Sequence, residues 1–176
     1  MKKIISIAII SIIAFTSCKK GSSGSNKYHV SFTVNGTNKV FTGYVAAHFD
    51  TTLNTVSLTV LGADSSTAFD NYFGFYLDNY TGGAPIISGQ YTDAMTNYTL
   101  SSNYTVNGVE HDAGQTVASE AVINNVTIAN HFKATITSIT STTVSGTFSG
   151  DFYQDGDVVN GTKLTITNGD FYVLRQ

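Results

Sequence analysis

Thr143-Val144-Ser145-Gly146-Thr147-Phe148-Ser149-Gly150-Asp151-Phe152-Tyr153, followed after a short gap by Leu164-Thr165-Ile166-Thr167-Asn168-Gly169-Asp170-Phe171-Tyr172-Val173, decides how this chain folds. In the first segment Val144, Gly146, Phe148, Gly150 and Phe152 share one face, and Ser145, Thr147, Ser149 and Asp151 share the other. Strict alternation of this kind is the signature of a strand with one face in a core. The inward Gly146 and Gly150 leave room for aromatic rings on a neighbouring strand. In the second segment the apolar positions switch from even to odd numbers across Asn168-Gly169. One inserted residue produces that switch, so the spacing predicts a β-bulge with Gly169 at positive φ. The competing reading is an Asn-Gly hairpin with very short arms.

The same period of two recurs toward the N-terminus. Val30, Phe32 and Val34 alternate with polar residues and run into Asn35-Gly36, a hairpin turn signal. Phe41, Val45, Ala47 and Phe49 form a further face, as do Val56, Leu58 and Val60, and then Phe73, Phe75 and Leu77. Tyr98 with Leu100, then Tyr104 with Val106, read as a shorter polar pair before Asn107-Gly108. Phe132, Ala134 and Ile136 lead to a turn near Ser141 and Thr142. No stretch carries the 3.6-residue period of an amphipathic helix. The expectation is an all-β fold: a single antiparallel β-sandwich of about 8–10 strands, with a closed lipocalin-like barrel as the alternative. Asn-Tyr-Thr recurs at Asn79, Asn97 and Asn103, but without the fixed period of a solenoid.

Composition narrows the function classes. The chain has 176 residues, 12 acidic against 9 basic, with 11 Phe, 10 Tyr, no Trp and a single Cys. That length suits one domain. An acidic balance without clustered Lys and Arg excludes a nucleic-acid surface, and the aromatic content excludes a disordered chain.

The N-terminus reads as an export signal. Lys2 and Lys3 precede a mostly apolar run, Ile4 to Phe15. This run is too short for the roughly 20 residues of a membrane span but fits a secretory signal peptide. Thr16, Ser17 and then Cys18 follow, an order that resembles the lipobox of bacterial lipoproteins, with Phe15 where Leu is usual. The resemblance implies cleavage before Cys18 and acylation of its thiol. Several acyl chains anchor more firmly than the single chain that binds marginally. The expected organisation is a signal peptide at 1–17, a lipidated cysteine and flexible tether at 18–27 (KKGSSGSN within it), and a β-domain at 28–176. Loss of Lys2 and Lys3 leaves 12 acidic against 7 basic residues. Lys19 is not the Asp that resembles an inner-membrane retention signal, so the outer membrane is the expected location, with its periplasmic or surface side left open.

The C-terminal segments, about 30 residues in all, also resemble the last two strands of small Bacteroidota lipoproteins of unknown function. Gly89-Gln90-Tyr91 and Phe32-Thr33-Val34-Asn35-Gly36 are similar to other phrases of that family. What the resemblance implies is a β-rich envelope lipoprotein with no substrate attached.

Candidate sites are few. In Tyr72-Phe73-Gly74-Phe75-Tyr76 the two Phe face the core, so Tyr72 and Tyr76 point outward around Gly74. Two rings beside bare backbone form a stacking platform for a sugar, with Asp78, Asn79 and Tyr80 near for hydrogen bonds. The bland reading is cross-strand aromatic pairing. Asp151, Asp155 and Asp157 gather hard oxygen ligands for Ca²⁺, though not in EF-hand order; no other cofactor is expected. His29, His48 and His131 fall on outward faces, and His111 lies between Glu110 and Asp112. Zinc needs three or four such ligands to converge. No nucleophile elbow occurs, and Glu110, Asp112 and Glu120 are the carboxylates from which a hydrolase would be built. The resulting expectation is a non-enzymatic, lipid-anchored binding module for a glycan or other small ligand. The alternatives are an accessory subunit of an outer-membrane assembly, docking through a sheet edge, and, ranked last, a hydrolase.

Overall fold

The computed structural model describes residues 27–50, 56–65, 70–79 and 84–176; the signal segment, Cys18, the tether up to residue 26, and Tyr80 lie outside them. The described residues form eleven strands and one helix. The strands are β1 (His29–Val34), β2 (Thr37–Phe41), β3 (Tyr44–Asp50), β4 (Val56–Ala63), β5 (Tyr72–Asn79), β6 (Gly89–Thr92), β7 (Thr99–Val106), β8 (Val109–Gly114), β9 (Lys133–Ile139), β10 (Thr143–Gln154) and β11 (Lys163–Arg175). The helix, α1, spans Gln115–Ile123.

The pairing joins all eleven strands into one mixed sheet, which folds over into two facing layers. One runs β2-β1-β11-β10-β9-β6 and the other β3-β4-β5-β7-β8. Two short contacts join them: Leu174 and Arg175 of β11 pair in parallel with Ala46 and Ala47 of β3, and Tyr153 and Gln154 of β10 pair with Asp112 and His111 of β8. The fold is therefore all-β and sandwich-like, with one parallel contact at a corner where a purely antiparallel sheet was expected. Between the layers lies a core of phenyl rings. Phe73 of β5 stacks on Phe148 of β10 at 4.1 Å, and Phe75 meets Phe171 edge-on at 5.4 Å. Phe32 touches both Phe73 and Tyr104. Burying such rings contributes on the order of 1.5–3 kcal/mol each.

The bulge occurs as expected. Phe148 pairs with Gly169 and Gly150 pairs with Ile166, so β11 holds the extra residue. The residue at positive φ is Asn168 (52°), however, and not Gly169. Asn tolerates the left-handed region because its short amide finds local hydrogen bonds. Gly169 answers to close approach instead: a Cβ there would lie 2.4 Å from the Phe148 carbonyl oxygen. Gly146 and Gly150 make room for rings, against Phe171 on β11 and Phe132 beside β9. Asn35-Gly36 and Asn107-Gly108 are hairpin turns with both residues at positive φ, the pattern of type I′.

Three expectations are corrected. The Phe41–Phe49 stretch is two strands, because the chain leaves one layer for the other at Thr42-Gly43. Residues 99–106 form one continuous strand and not a polar pair, since Leu100, Ser102 and Tyr104 all face inward. A helix is present although no helical period was read. Only Val117 and Ala121 of α1 are buried, and Val122 and Ile123 point to solvent. Two inward positions one turn apart make too narrow a stripe to register as a period. Val117 and Ala121 pack with Ile128, Tyr153 and Val158 in a small satellite cluster. No helix among the described residues is long and apolar enough to cross a membrane.

Candidate functional site

Register alone places the first candidate residues. In β5, Phe73 and Phe75 are buried in the core, so Tyr72, Gly74, Tyr76 and Asp78 stand on the outer face. Across that face Gly74 pairs with Leu61 of β4 and Asn103 of β7, and Asn103 pairs with Asp112 of β8. Tyr76 pairs with Thr59 and Ser101 in the next row, and Tyr72 with Thr105, which pairs with Glu110. Gly74 adds no side chain, so these rows enclose a groove of about 270 Å³ over its backbone, from Leu61 and Tyr76 to Asn103 and Asp112.

The polar groups in this groove are held in place. Asn103 donates from Nδ2 to the Tyr72 hydroxyl at 3.0 Å and to Glu110 Oε1 at 3.1 Å. Ser102, on the inner side, donates to the Gly74 carbonyl at 2.8 Å and rigidifies the floor. Tyr76 is 37% exposed. Asp78, further along the face, is almost wholly buried.

Beyond Asp112 the groove opens into a cleft of about 680 Å³ between α1 and the β10–β11 loop. Asp112, Glu120, Asp155 and Asp157 line it, with Thr116 and Asn160, and none of its described lining residues is Lys or Arg. Burial, reinforced by Glu110 and then Asp155, pushes the Asp112 carboxyl up to about 6. Asp157 moves the other way, because the backbone N–H groups of Asn160 and Val159 stabilise its charge. Near neutral pH Asp112 therefore exchanges between a pure acceptor and an O–H donor, a useful property beside a hydroxyl-rich ligand.

The three aspartates considered for calcium are not brought together as a set. Asp155 and Asp157 line the cleft. Asp151 lies on the outer face of the other layer, buried, accepting from Thr165 Oγ1 at 2.8 Å, Asn130 Nδ2 at 3.1 Å and the Asn130 N–H at 3.3 Å. Among the described residues no three His, Cys, Asp or Glu side chains group as a metal site requires. His29 and His131 are outward, paired with Asp170 and Asp93, and His48 is exposed. His111 is not a surface residue: alternation between Glu110 and Asp112 turns it into the core at 4% exposure.

The chain matches no family model, no curated protein and no solved structure. Its site must be read from its own geometry. Asn103 and Leu61 were not singled out from sequence, and Asp112 entered only as a carboxylate for hydrolysis. A signal for the first pairing was present. A two-residue turn at Asn107-Gly108 sets Val106 against Val109, which places Asn103 against Asp112 by counting alone.

Proposed function

We propose that this chain is a lipid-anchored envelope protein whose β-domain captures an uncharged, hydroxyl-rich ligand, a glycan, in the groove over Gly74 and the cleft beyond Asp112. The observation that carries this reading is the continuity of the two. Ser101, Ser102 and Asp112 line both, so one extended ligand can lie beside Tyr76, cross Gly74 and end among carboxylates. An aromatic ring, an apolar Leu61, fixed amides and acceptor oxygens are what the alternating apolar and hydroxyl faces of a sugar demand. The lining carboxylates disfavour an acidic glycan, since a like charge there costs free energy. The reading needs no metal. The anchor rests on Cys18 and the signal that precedes it.

The test is equilibrium binding of the purified full chain to a panel of neutral and acidic oligosaccharides. A neutral member should bind saturably, Tyr76→Ala should weaken it about tenfold, and chelator should leave it unchanged. Failure of every neutral member, or equal binding by Tyr76→Ala, would count against the site. Cys18→Ala should move the protein from the membrane to the soluble fraction.

A second reading, docking of an envelope partner, is favoured by one observation. β2 ends the six-stranded layer, its outer edge is unpaired among the described residues, and Val40 is 60% exposed. Such an edge accepts an extended strand, although five residues and Lys39 limit it.

A further inference from the structure

The six-stranded layer carries a second pocket of opposite polarity, of about 380 Å³, on its outer face. Lys133 of β9 stands directly across from Ser149 of β10. On the far side of Ser149 the bulge interrupts the β10–β11 register, between the Phe148 and Gly150 pairings. Thr167, beside the bulge, is exposed and lines the same pocket, and His131 lies two residues before Lys133.

Three carboxylates lie close by: Asp93 and Asp151 are spent on protein donors, and Asp170, which lines a neighbouring pocket with Lys133 and Ser149, lies 2.7 Å from His29 Nε2. The Asp93 side chain is 2% exposed, with both oxygens 3.0 Å from His131 Nδ1 and one accepting the Phe132 N–H at 3.2 Å. Asp151 is saturated by Thr165 and Asn130 and has Lys163 Nζ at 3.5 Å. What the pocket offers a ligand is therefore mainly the Lys133 ammonium, which nothing among the described residues pairs, and the hydroxyls of Ser149 and Thr167, with the outer nitrogen of the His131 ring beside them. Both Asp93 oxygens lie 3.0 Å from His131 Nδ1, which fixes the ring and leaves Nε2 as the nitrogen available to a ligand.

We propose that this pocket binds a tetrahedral oxyanion, phosphate or sulfate, free or as a monoester, through Lys133, His131, Ser149 and Thr167. An ammonium, the free ring nitrogen of His131 and two hydroxyls supply the charge and the directed hydrogen bonds that such an ion needs. The proposal is independent of the glycan groove, which lies on the other layer. Inorganic phosphate and glycerol 2-phosphate, titrated against the full chain at constant ionic strength with chloride as the balancing anion, test it. Both heat of binding and the His131 ring resonances should be followed. Saturable binding that Lys133→Gln and His131→Gln each weaken at least tenfold is expected, with Lys39→Gln, on the edge strand β2, unchanged. Tighter binding of the ester would identify an esterified ligand, and tighter binding of phosphate a free ion. Lys133 is exposed, so Lys133→Gln should retain the wild-type melting temperature and its loss of binding is not a loss of fold. Non-saturating heats, an unmoved His131 resonance, or equal weakening by Lys39→Gln would overturn the proposal.

Discussion

Removing the Asp151 carboxylate should be among the most damaging single changes in the six-stranded layer. The side chain is fully buried, at 0% exposure. Its two short hydrogen bonds, from Thr165 Oγ1 at 2.8 Å and Asn130 Nδ2 at 3.1 Å, are charge-assisted and worth about 1.5 kcal/mol each at the low end of the range. Asp151→Ala also leaves the Asn130 N–H without its acceptor, about 1 kcal/mol more. Lys163 is 46% exposed and rehydrates when its partner goes, so the 3.5 Å ion pair adds little. Relief of carboxylate desolvation offsets part of the loss. The net expectation is about 3 kcal/mol. At a urea slope of about 2 kcal/mol/M, the unfolding midpoint should fall by about 1.5 M. Tyrosine fluorescence can follow the transition, since the chain has no Trp. Lys163→Gln should cost less than about 1 kcal/mol, and Asp151→Asn, which keeps one acceptor oxygen, should fall between. A loss below about 1 kcal/mol for Asp151→Ala would refute the claim that this carboxylate organises the layer.

Further expectations concern the core, the bulge and pH. Gly169→Ala places a Cβ 2.4 Å from the Phe148 carbonyl oxygen, so the bulge must shift; a fall in stability of about 2 kcal/mol or more should appear in the same urea assay. Phe73→Ala removes a wholly buried ring stacked on Phe148 and should cost about 3–5 kcal/mol, seen as a lower melting temperature. The Asp112 carboxyl is raised from 3.8 to about 6, so the folded state holds its proton more tightly than the unfolded one. Its favourable contribution is complete below about pH 4 and is lost as pH rises through about 6. Asp112→Asn should therefore be more stable than wild type at pH 7, by on the order of 1 kcal/mol after solvent screening, and show no advantage at pH 3.5. Equal pH profiles for the two proteins would show that Asp112 ionises as it would in water.

Much of the fold was legible because a strand writes its two faces into alternate residues. Phe73 and Phe75 identify their own outward neighbours, and the parity switch across Asn168-Gly169 records the inserted residue directly. The left-handed position did not follow from the same pattern. Glycine's freedom suggested Gly169, whereas the approach of the Phe148 carbonyl, made by another strand, reserves glycine there and leaves the positive φ to Asn168. Helix α1 was hidden for a related reason. Its inward residues meet the satellite cluster of Tyr153, Ile128 and Val158, so two positions suffice and no wide stripe is written.

The candidate sites divide along the same line. Local sequence determined that Tyr72, Gly74 and Tyr76 share a face and, through the Asn107-Gly108 turn, that Asn103 opposes Asp112, because both relations depend on backbone period and turn length. Only the tertiary structure decided that Glu120, Asp155 and Asp157 meet Asp112 in one cleft while Asp151 turns away to Thr165 and Asn130. Those encounters depend on which strands become neighbours and where β8 meets β10. Many hydrophobic patterns are compatible with the same alternation, and the packing of rings between the layers selects among them.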